Sequence, residues 1–258
     1  MTHRHVRRAR AALLALVALA GSAHGANPRA AQHFAGVGNT GSFRAGGGMA
    51  LSNPGDGGVD GAGDGFLLLT STFLGNFGAH STDGEFLGNY TGDGVGGISF
   101  WLKDVGAADP LVIRLALGPG QSNLYQYHGA FEPTSAWTRH YVNLSAINPE
   151  HWTQTHGGGT IEDALVNVGR VLLRHDLPPF LFFPDSVEGD MGVDGVRLHP
   201  PCPGETNGDD RIDFLDLNVL LSNFGVRGRV NTPGDVNNDG DVDFLDLNIV
   251  LSAFGTSC

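Results

Sequence analysis

The sequence predicts a mainly β protein in which a β-sandwich is followed by a small α-helical module. Residues 26–200 are dense in glycine and contain short apolar or alternating runs that turn residues separate. Long amphipathic helix patterns do not occur in this part of the sequence, and the combination is typical of an all-β sandwich or barrel. Residues 201–258 differ, because one acidic pattern occurs twice and leads each time into a run with helical spacing.

The first 25 residues have the pattern of a secretory signal peptide. A basic stretch, MTHRHVRRAR, precedes an apolar run at residues 11–20, and Ala23 and Gly25 stand at positions −3 and −1 of a cleavage site. The apolar run is about half of the roughly 20 residues that a membrane span requires, and no later run is long enough. We therefore expect a secreted protein, outside the cell or at its surface, with no transmembrane segment in the mature chain.

Seven short runs in residues 26–200 are expected to form strands, because Gly, Asp, Asn and Pro between them supply turns. The domain is long enough to bury a sizeable core. The runs are residues 65–72, 98–103, 111–117, 137–144, 168–174, 180–183 and 192–198. A short helix is expected at residues 161–168.

The repeat in residues 201–258 has the spacing of an EF-hand calcium loop. That template requires oxygen ligands at loop positions 1, 3, 5, 7, 9 and 12, with glycine at position 6. The second copy meets every position, with Gly240 at the sharp turn. Its ligands are Asp235, Asn237, Asp239, the carbonyl oxygen of Asp241, Asp243 and Asp246. Oxygen atoms at this spacing suit a hard cation such as Ca²⁺.

The first copy departs from this template at two positions. Its ligands are Glu205, Asn207, Asp209, the carbonyl oxygen of Arg211, Asp213 and Asp216. Glu205 is longer than the usual Asp, and Asp210 replaces the turn glycine at a cost of about 1 kcal/mol. We expect two calcium sites, of which the second is the stronger, and glycine at position 210 should tighten the first. The alternative is an acidic turn that matches the template by chance.

Each loop leads into an apolar run with helical spacing, and Gly225 and Gly255 stand where a helix would end. Three prolines before Glu205 leave no helix in front of the first loop. The segment resembles a type I dockerin, the calcium-dependent docking module of polysaccharide-degrading complexes. That resemblance implies a cohesin-like or cell-surface partner. The residues at the partner-selecting loop positions 10 and 11 are Phe214, Leu215, Phe244 and Leu245, which could alternatively pack between the two helices.

The only two cysteines, Cys202 and Cys258, bracket the calcium-loop module. In an exported chain they are expected to form one disulfide, with two free thiols as the alternative. Closing a loop of this size would stabilise the fold by about 4 kcal/mol. Such a contribution matters for a module that is too small for a large core.

Three stretches of the larger domain resemble strands of laminin-B-like and carbohydrate-binding-module-like jelly rolls of secreted bacterial proteins. They read GISFWLKD, WTRHYVNLS and DSVEGDMGVDGVRL. The resemblance implies a jelly-roll-type β-sandwich in front of the dockerin-like calcium-binding module. Asp194 matches a position that can hold a structural calcium, or it is a surface residue beside a turn glycine. Aromatic side chains could stack on a sugar; we expect Trp101 in the core and Trp137 and Trp152 at the surface.

The charge balance and the motifs limit the classes of function that the sequence supports. The net charge is −12, and it becomes −16 without the four signal arginines, so nucleic acid and anionic lipid are disfavoured as partners. Neither the motifs G-x-S-x-G and H-E-x-x-H nor a P-loop occurs. We expect a non-catalytic sandwich that binds polysaccharide or another surface ligand, attached through the calcium module. The alternatives are a polysaccharide hydrolase or lyase, with a carboxylate pair such as Glu132 and Asp185, and a structural cell-envelope protein.

Overall fold

The computed structural model describes residues 25–106 and 109–258, without the side chains of residues 72–75. The predicted signal peptide lies outside the described residues, except for Gly25. Among the described residues, no helix is both long and apolar enough to cross a membrane.

The described chain forms twelve β-strands in antiparallel pairs, and they build two sheets. The strands are β1 (Ala31–Gln32), β2 (Phe43–Ala45), β3 (Ala50–Ser52), β4 (Leu67–Asn76), β5 (Gly78–Ser81), β6 (Gly97–Asp104), β7 (Ile113–Gly118), β8 (Asn123–Tyr127), β9 (Thr138–Asn143), β10 (Trp152–Gly157), β11 (Arg170–His175) and β12 (Ser186–His199). The A sheet has the order β3-β4-β12-β6-β9, with β1 also paired to β12, and the B sheet has the order β10-β8-β7-β11-β5-β2. The predicted mainly β sandwich is confirmed.

The two sheets enclose one apolar core between them. Successive side chains of a strand point to opposite faces, and β11 shows the consequence. Val171 and Leu173 belong to the core, whereas Arg170, Leu172 and Arg174 line the outer face of the B sheet. The alternation therefore places Arg170 and Arg174 on the side of β11 that faces away from the core.

Six of the seven predicted strand runs overlap observed strands, and the prediction for residues 180–183 is wrong. These residues lie in the loop between β11 and β12. Pro179 precedes them and Pro184 follows them, and proline cannot donate to a strand ladder. The aromatic side chains of Phe182 and Phe183 are consequently exposed and remain available on the surface.

Four α-helices complete the described fold: α1 (Tyr90–Asp93), α2 (Ile161–Val166), α3 (Phe214–Asn223) and α4 (Phe244–Ala253). Short 3₁₀ turns occur at Gly84–Phe86 and Pro149–His151. The helices α2, α3 and α4 lie where the sequence predicts them. Gly225 and Gly255, with φ values of 89° and 84°, follow α3 and α4 in the left-handed conformation that commonly ends a helix.

A second, smaller core lies within residues 201–258 and is separate from the core of the sandwich. Its buried members besides Cys202 are Ile212, Leu220, Val236, Val242 and Val250. Cys202 forms a disulfide with Cys258, with a Cα–Cα distance of 5.6 Å. The expected pairing is therefore present, and it joins the two ends of this module.

Candidate functional site

The second predicted calcium loop is folded around its own carboxylates. Asp246 is fully buried; its Oδ1 atom accepts hydrogen bonds from the backbone N–H of Val236 (2.9 Å) and Asn237 (3.3 Å), and its Oδ2 atom accepts one from Asp243 (2.9 Å). The carboxylate at loop position 12 is thus held above the start of the loop. Both oxygen atoms of the ligand expected at position 12 therefore contact the backbone of the loop in which an EF-hand holds its cation.

Asp235, at position 1 of the same loop, is hydrogen-bonded to the backbone at positions 5 and 6. Its carboxylate accepts hydrogen bonds from the N–H groups of Gly240 (2.9 Å) and Asp239 (3.2 Å). The side chains of Asn237 and Asp239 contact each other at 2.9 Å. The side chain of Asp243 instead caps α4, because its Oδ1 atom accepts from the N–H of Leu245. Four of the predicted ligand side chains, at positions 1, 3, 5 and 12, are therefore linked by hydrogen bonds within one loop.

The first loop has the same construction with a longer first residue. The carboxylate of Glu205 accepts from the N–H groups of Asn207 (2.8 Å), Gly208 (2.6 Å) and Asp210 (2.8 Å). One oxygen atom each of Glu205, Asp209 and Asp216 lies within 4.8 Å of the others. Glutamate therefore fits position 1 of this loop. Its longer side chain lets the carboxylate accept from three backbone N–H groups, one more than the carboxylate of Asp235. Calcium at either loop stays a prediction.

Burial makes the negative charge of both loops costly. It raises the pKa of Glu205 well above the usual range, and the nearby carboxylate of Asp216 raises it further. Burial likewise raises the pKa of Asp235 to about 6. A carboxylate whose ionised form is disfavoured in the metal-free chain gains most from a bound cation. The donor set and its burial therefore fit Ca²⁺, which these residues would hold through their carboxylate oxygen atoms.

Asp210 has a role that its sequence position did not indicate. Its φ of 67° confirms the expected left-handed backbone. Its carboxylate also accepts a hydrogen bond from Nη2 of Arg197 (2.5 Å) and lies 2.6 Å from Nδ1 of His199, both on β12. Burial lowers the pKa of His199, whereas Asp210 raises it. Because a carboxylate only accepts, Nδ1 of His199 donates to Asp210, and Nε2 lies 2.8 Å from the hydroxyl of Ser99. Asp210 thus ties the first loop to two central strands of the A sheet.

Asparagine side chains tie the second loop to the same side of the sandwich. The side-chain amide of Asn143, at the end of β9, donates to the carbonyl oxygen of Val236 (2.9 Å), and that of Asn148 donates to Asn238 (3.1 Å). Asn238, itself at a φ of 57°, donates to the carbonyl oxygen of Ala146 (2.6 Å). Both loops are therefore hydrogen-bonded to the sandwich as well as to themselves.

We predict that Asp210→Gly weakens the contact between the first loop and the A sheet. The glycine relieves about 1 kcal/mol of backbone strain, but the lost charge-assisted bonds to Arg197 and His199 are worth about 2 kcal/mol or more. Amide hydrogen exchange in residues 205–212 should therefore become faster. Asp210→Asn, which keeps the size and one acceptor oxygen, should show a smaller change. Unchanged exchange together with tighter calcium binding would mean that only the strain matters.

The four residues at loop positions 10 and 11 are the most exposed large apolar side chains of the module. Phe214, Leu215, Phe244 and Leu245 are between 58% and 74% exposed. The ring of Phe214 meets Phe254 edge-on at a centroid distance of 5.1 Å, and Phe244 meets Phe224 in the same way. Both phenylalanine rings therefore pack against the end of the other helix while remaining largely exposed, and Leu215 and Leu245 are exposed beside them. They form a nearly two-fold apolar face.

A groove of about 250 Å³ crosses the outer face of the B sheet. Its floor is built by strands β5, β11, β8 and β10, and the loop between β11 and β12 forms one wall. The lining side chains are His80, Leu124, His156, Arg170, Leu172, Arg174, Phe182 and Phe183, with Asn76, Gln121 and Pro184 at the rim. Sequence reasoning missed this groove, because the strands that bring these residues together are far apart in the chain.

The aromatic wall of the groove is held in place by a buried arginine. The guanidinium group of Arg174 donates to the carbonyl oxygen of Leu181 (2.8 Å) and pairs with Asp176 (2.5 Å). The ring of Phe182 stacks on that of His156, with 3.4 Å between centroids, and meets Phe183 edge-on at 4.5 Å. Two aromatic rings are therefore fixed beside the groove although they lie in an irregular loop.

The other aromatic residues and Asp194 are placed differently from several expectations. Trp152 is buried against Tyr127, so its expected exposure is wrong, whereas Trp101 is only partly buried, on the outer face of the A sheet. The indole N–H of Trp137 donates to the carbonyl oxygen of a loop glycine. Asp194 is buried rather than on the surface, and its carboxylate accepts from the N–H groups of Val59 and Gly195.

The sequence matches no protein-family model and no curated protein. Among solved structures, the chain is similar to the CBM22-1 xylan-binding domain of Paenibacillus barcinonensis Xyn10C, with 14% identity over 69% of this chain and 97% of that chain, at a TM-score of 0.41. It is similar to a family 11 carbohydrate-binding module of Clostridium thermocellum, with 14% identity over 64% of this chain and 92% of that chain, at 0.41. An exo-β-agarase matches with 13% identity over 67% of this chain and 25% of that chain, at 0.43.

Proposed function

We propose that this protein is a secreted, non-catalytic carbohydrate-binding protein. Its sandwich binds polysaccharide in the groove of the B sheet, and its C-terminal module, ordered by two calcium ions, attaches it to a cohesin-like or cell-surface partner. The observation that carries the first part is the groove with its two fixed aromatic rings. Ligand sites are concave, largely apolar clefts with a few convergent polar groups, and the groove of the B sheet has this composition.

The chemistry of the groove suits a sugar chain. Aromatic rings offer a large contact area at a low cost in conformational entropy, and the C–H faces of a sugar ring can lie on them. Phe183 is 62% exposed and Phe182 is 42% exposed, which is unusual for rings that already contact each other. The partly buried side chains of His80 and His156 and the exposed amide of Gln121 add hydrogen-bonding groups for hydroxyls.

We predict that Phe182→Ala weakens the binding of polysaccharide about fivefold to tenfold, because one stacking surface is lost. Binding should be measured with the full chain, by affinity electrophoresis in gels that contain xylan, mixed-linkage glucan, pectin or agarose. Leu177→Ala is the matched control, since Leu177 is an exposed apolar residue of the same loop that does not line the groove. No retardation of the parent chain by any polysaccharide would refute the proposed function, and equal retardation of both variants would place the site elsewhere.

The attachment role is supported by the exposed apolar face of the module. Exposed apolar side chains on a soluble protein can mark an interaction site, and Phe214, Leu215, Phe244 and Leu245 are exposed at the first turns of α3 and α4. These turns overlap the last positions of the predicted calcium loops. Because Asp216 and Asp246 both line a loop and cap a helix, occupancy of the loops would set the position of the face.

A further inference from the structure

The groove of the B sheet has a charge opposite to that of the rest of the chain. The sequence carries 27 acidic residues against 15 lysines and arginines. Yet the residues that line the groove include Arg170, Arg174, His80 and His156, and neither an aspartate nor a glutamate. An acidic protein that keeps acids out of one groove has a local positive potential there, and clefts of one sign concentrate ligands of the other sign.

The free charge in the groove belongs to Arg170. Arg174 is neutralised by Asp176, and less than about 2% of either side chain is exposed. Arg170 forms no ion pair among the described residues, and it is only partly buried at the start of β11. Its guanidinium group is therefore available to a ligand. Arg44, which is exposed on β2 directly opposite His80, also lacks a carboxylate partner in the described part of the chain.

The positive charges of nearby arginines also lower the pKa of the two histidines in the groove. The pKa of His80 is lowered by burial, and then by the positive charges of Arg170 and Arg44. The pKa of His156 is lowered by burial, and then by Arg174 and Arg170. No acidic group counteracts either shift. Both histidines therefore favour the neutral form, and the arginines supply the positive charge of the groove.

We propose that the groove recognises anionic polysaccharides, with Arg170 pairing with a carboxylate or sulfate group of the ligand while a neighbouring sugar ring lies on Phe182. This specificity rests on the proposed function. A guanidinium group presents parallel N–H donors that match a carboxylate or sulfate oxygen pair. One unpaired arginine inside the groove, with Arg44 beside it, suits a chain that carries isolated charges along neutral rings.

The same observations argue against nucleic acid as the ligand. A nucleic acid brings a phosphate at every nucleotide, and its binding needs several cations along an extended track. Here the groove offers Arg170, with Arg44 beside it, and no extended track of cations, and the net charge of −12 repels a long polyanion. Recognition of one acidic group at a time fits this distribution better.

The proposal is tested by isothermal titration calorimetry, which measures binding of ligands to the full chain at a fixed free calcium concentration. The ligands are oligogalacturonides, sulfated carrageenan oligosaccharides, xylo-oligosaccharides and inorganic polyphosphate. We expect binding of at least one of the two acidic sugars, weakened by about tenfold or more in Arg170→Gln and partly recovered in Arg170→Lys. Arg227→Gln, which removes the same charge from an exposed position of the calcium module, should bind like the parent chain. The two acidic sugars distinguish carboxylate from sulfate.

Each other outcome overturns the proposal in a recognisable way. Binding of xylo-oligosaccharides alone, equal in parent and Arg170→Gln, refutes the anionic specificity and leaves the proposed function intact. Equal loss in Arg170→Gln and Arg227→Gln, or full competition by polyphosphate, indicates general charge attraction and also refutes it. Failure to bind any of the sugars, with calcium bound and the fold intact by circular dichroism, refutes the proposed function together with its specificity.

Discussion

Asp246→Ala should abolish calcium binding by the second loop and loosen the first turn of α4. The carboxylate of Asp246 is fully buried and accepts hydrogen bonds from three backbone N–H groups of its loop. Alanine leaves these donors unsatisfied, at about 1–3 kcal/mol for each buried group, and removes the ligand at position 12. Calorimetric titration of calcium into the full chain should fall from two equivalents to one.

The matched control separates the loss of a ligand from the loss of a helix cap. Asp163 occupies the same capping-box position of α2, with Thr160 as the N-cap, but lies outside the calcium loops. Asp163→Ala should destabilise its helix by about 1 kcal/mol and leave two equivalents of calcium bound. Asp216→Ala should remove the weaker equivalent. If Asp246→Ala still binds two equivalents, the second loop is not a calcium site.

Asp176→Ala should destabilise the sandwich by about 3–5 kcal/mol, the usual cost of removing one partner of a buried ion pair. Arg174 and Asp176 are both buried, at an N–O distance of 2.5 Å. After the change, the guanidinium group of Arg174 would keep only the carbonyl oxygen atoms of Leu181 and Phe182 as partners. Urea unfolding of the full chain, followed by circular dichroism, measures the free energy of unfolding.

A double variant tests whether the unpaired charge causes this loss. In Arg174→Met/Asp176→Leu no charge is left in the buried site, and most of the stability should return. The wall of the groove should nevertheless become mobile, because Arg174 no longer holds the carbonyl oxygen of Leu181. If the double variant is as unstable as Asp176→Ala, packing at this site matters more than the pairing of the charge.

The parts of the structure that the sequence predicted are those with a local pattern. The helices α3 and α4 follow from apolar spacing and end before glycine, and the long strands β4, β6 and β12 follow from apolar runs. The strands β1, β2 and β3 have two or three residues, which is too short for any alternation to appear. The strand β10 reads WTQTHG, and its polar outer side concealed that Trp152 points into the core.

The groove and the role of Asp210 could not be predicted for a different reason. His80, Arg170 and Phe182 lie on strands and a loop that become neighbours only through the order of the B sheet. Asp210 meets Arg197 and His199 because the first loop folds back onto β12. Neither arrangement leaves a mark on spacing or composition. The lack of acids in the lining of the groove becomes visible only once the strands are paired.

The bonds of Asp210 bear on the path that a mechanical force would take through the protein. Asp210 bonds to Arg197 and His199, and His199 in turn bonds to Ser99, on the outer face of the A sheet, whereas the groove lies on the outer face of the B sheet. A chain held by its calcium module and pulled through its sugar ligand would therefore transmit force across the whole thickness of the sandwich. That path includes the apolar contacts that hold the two sheets together.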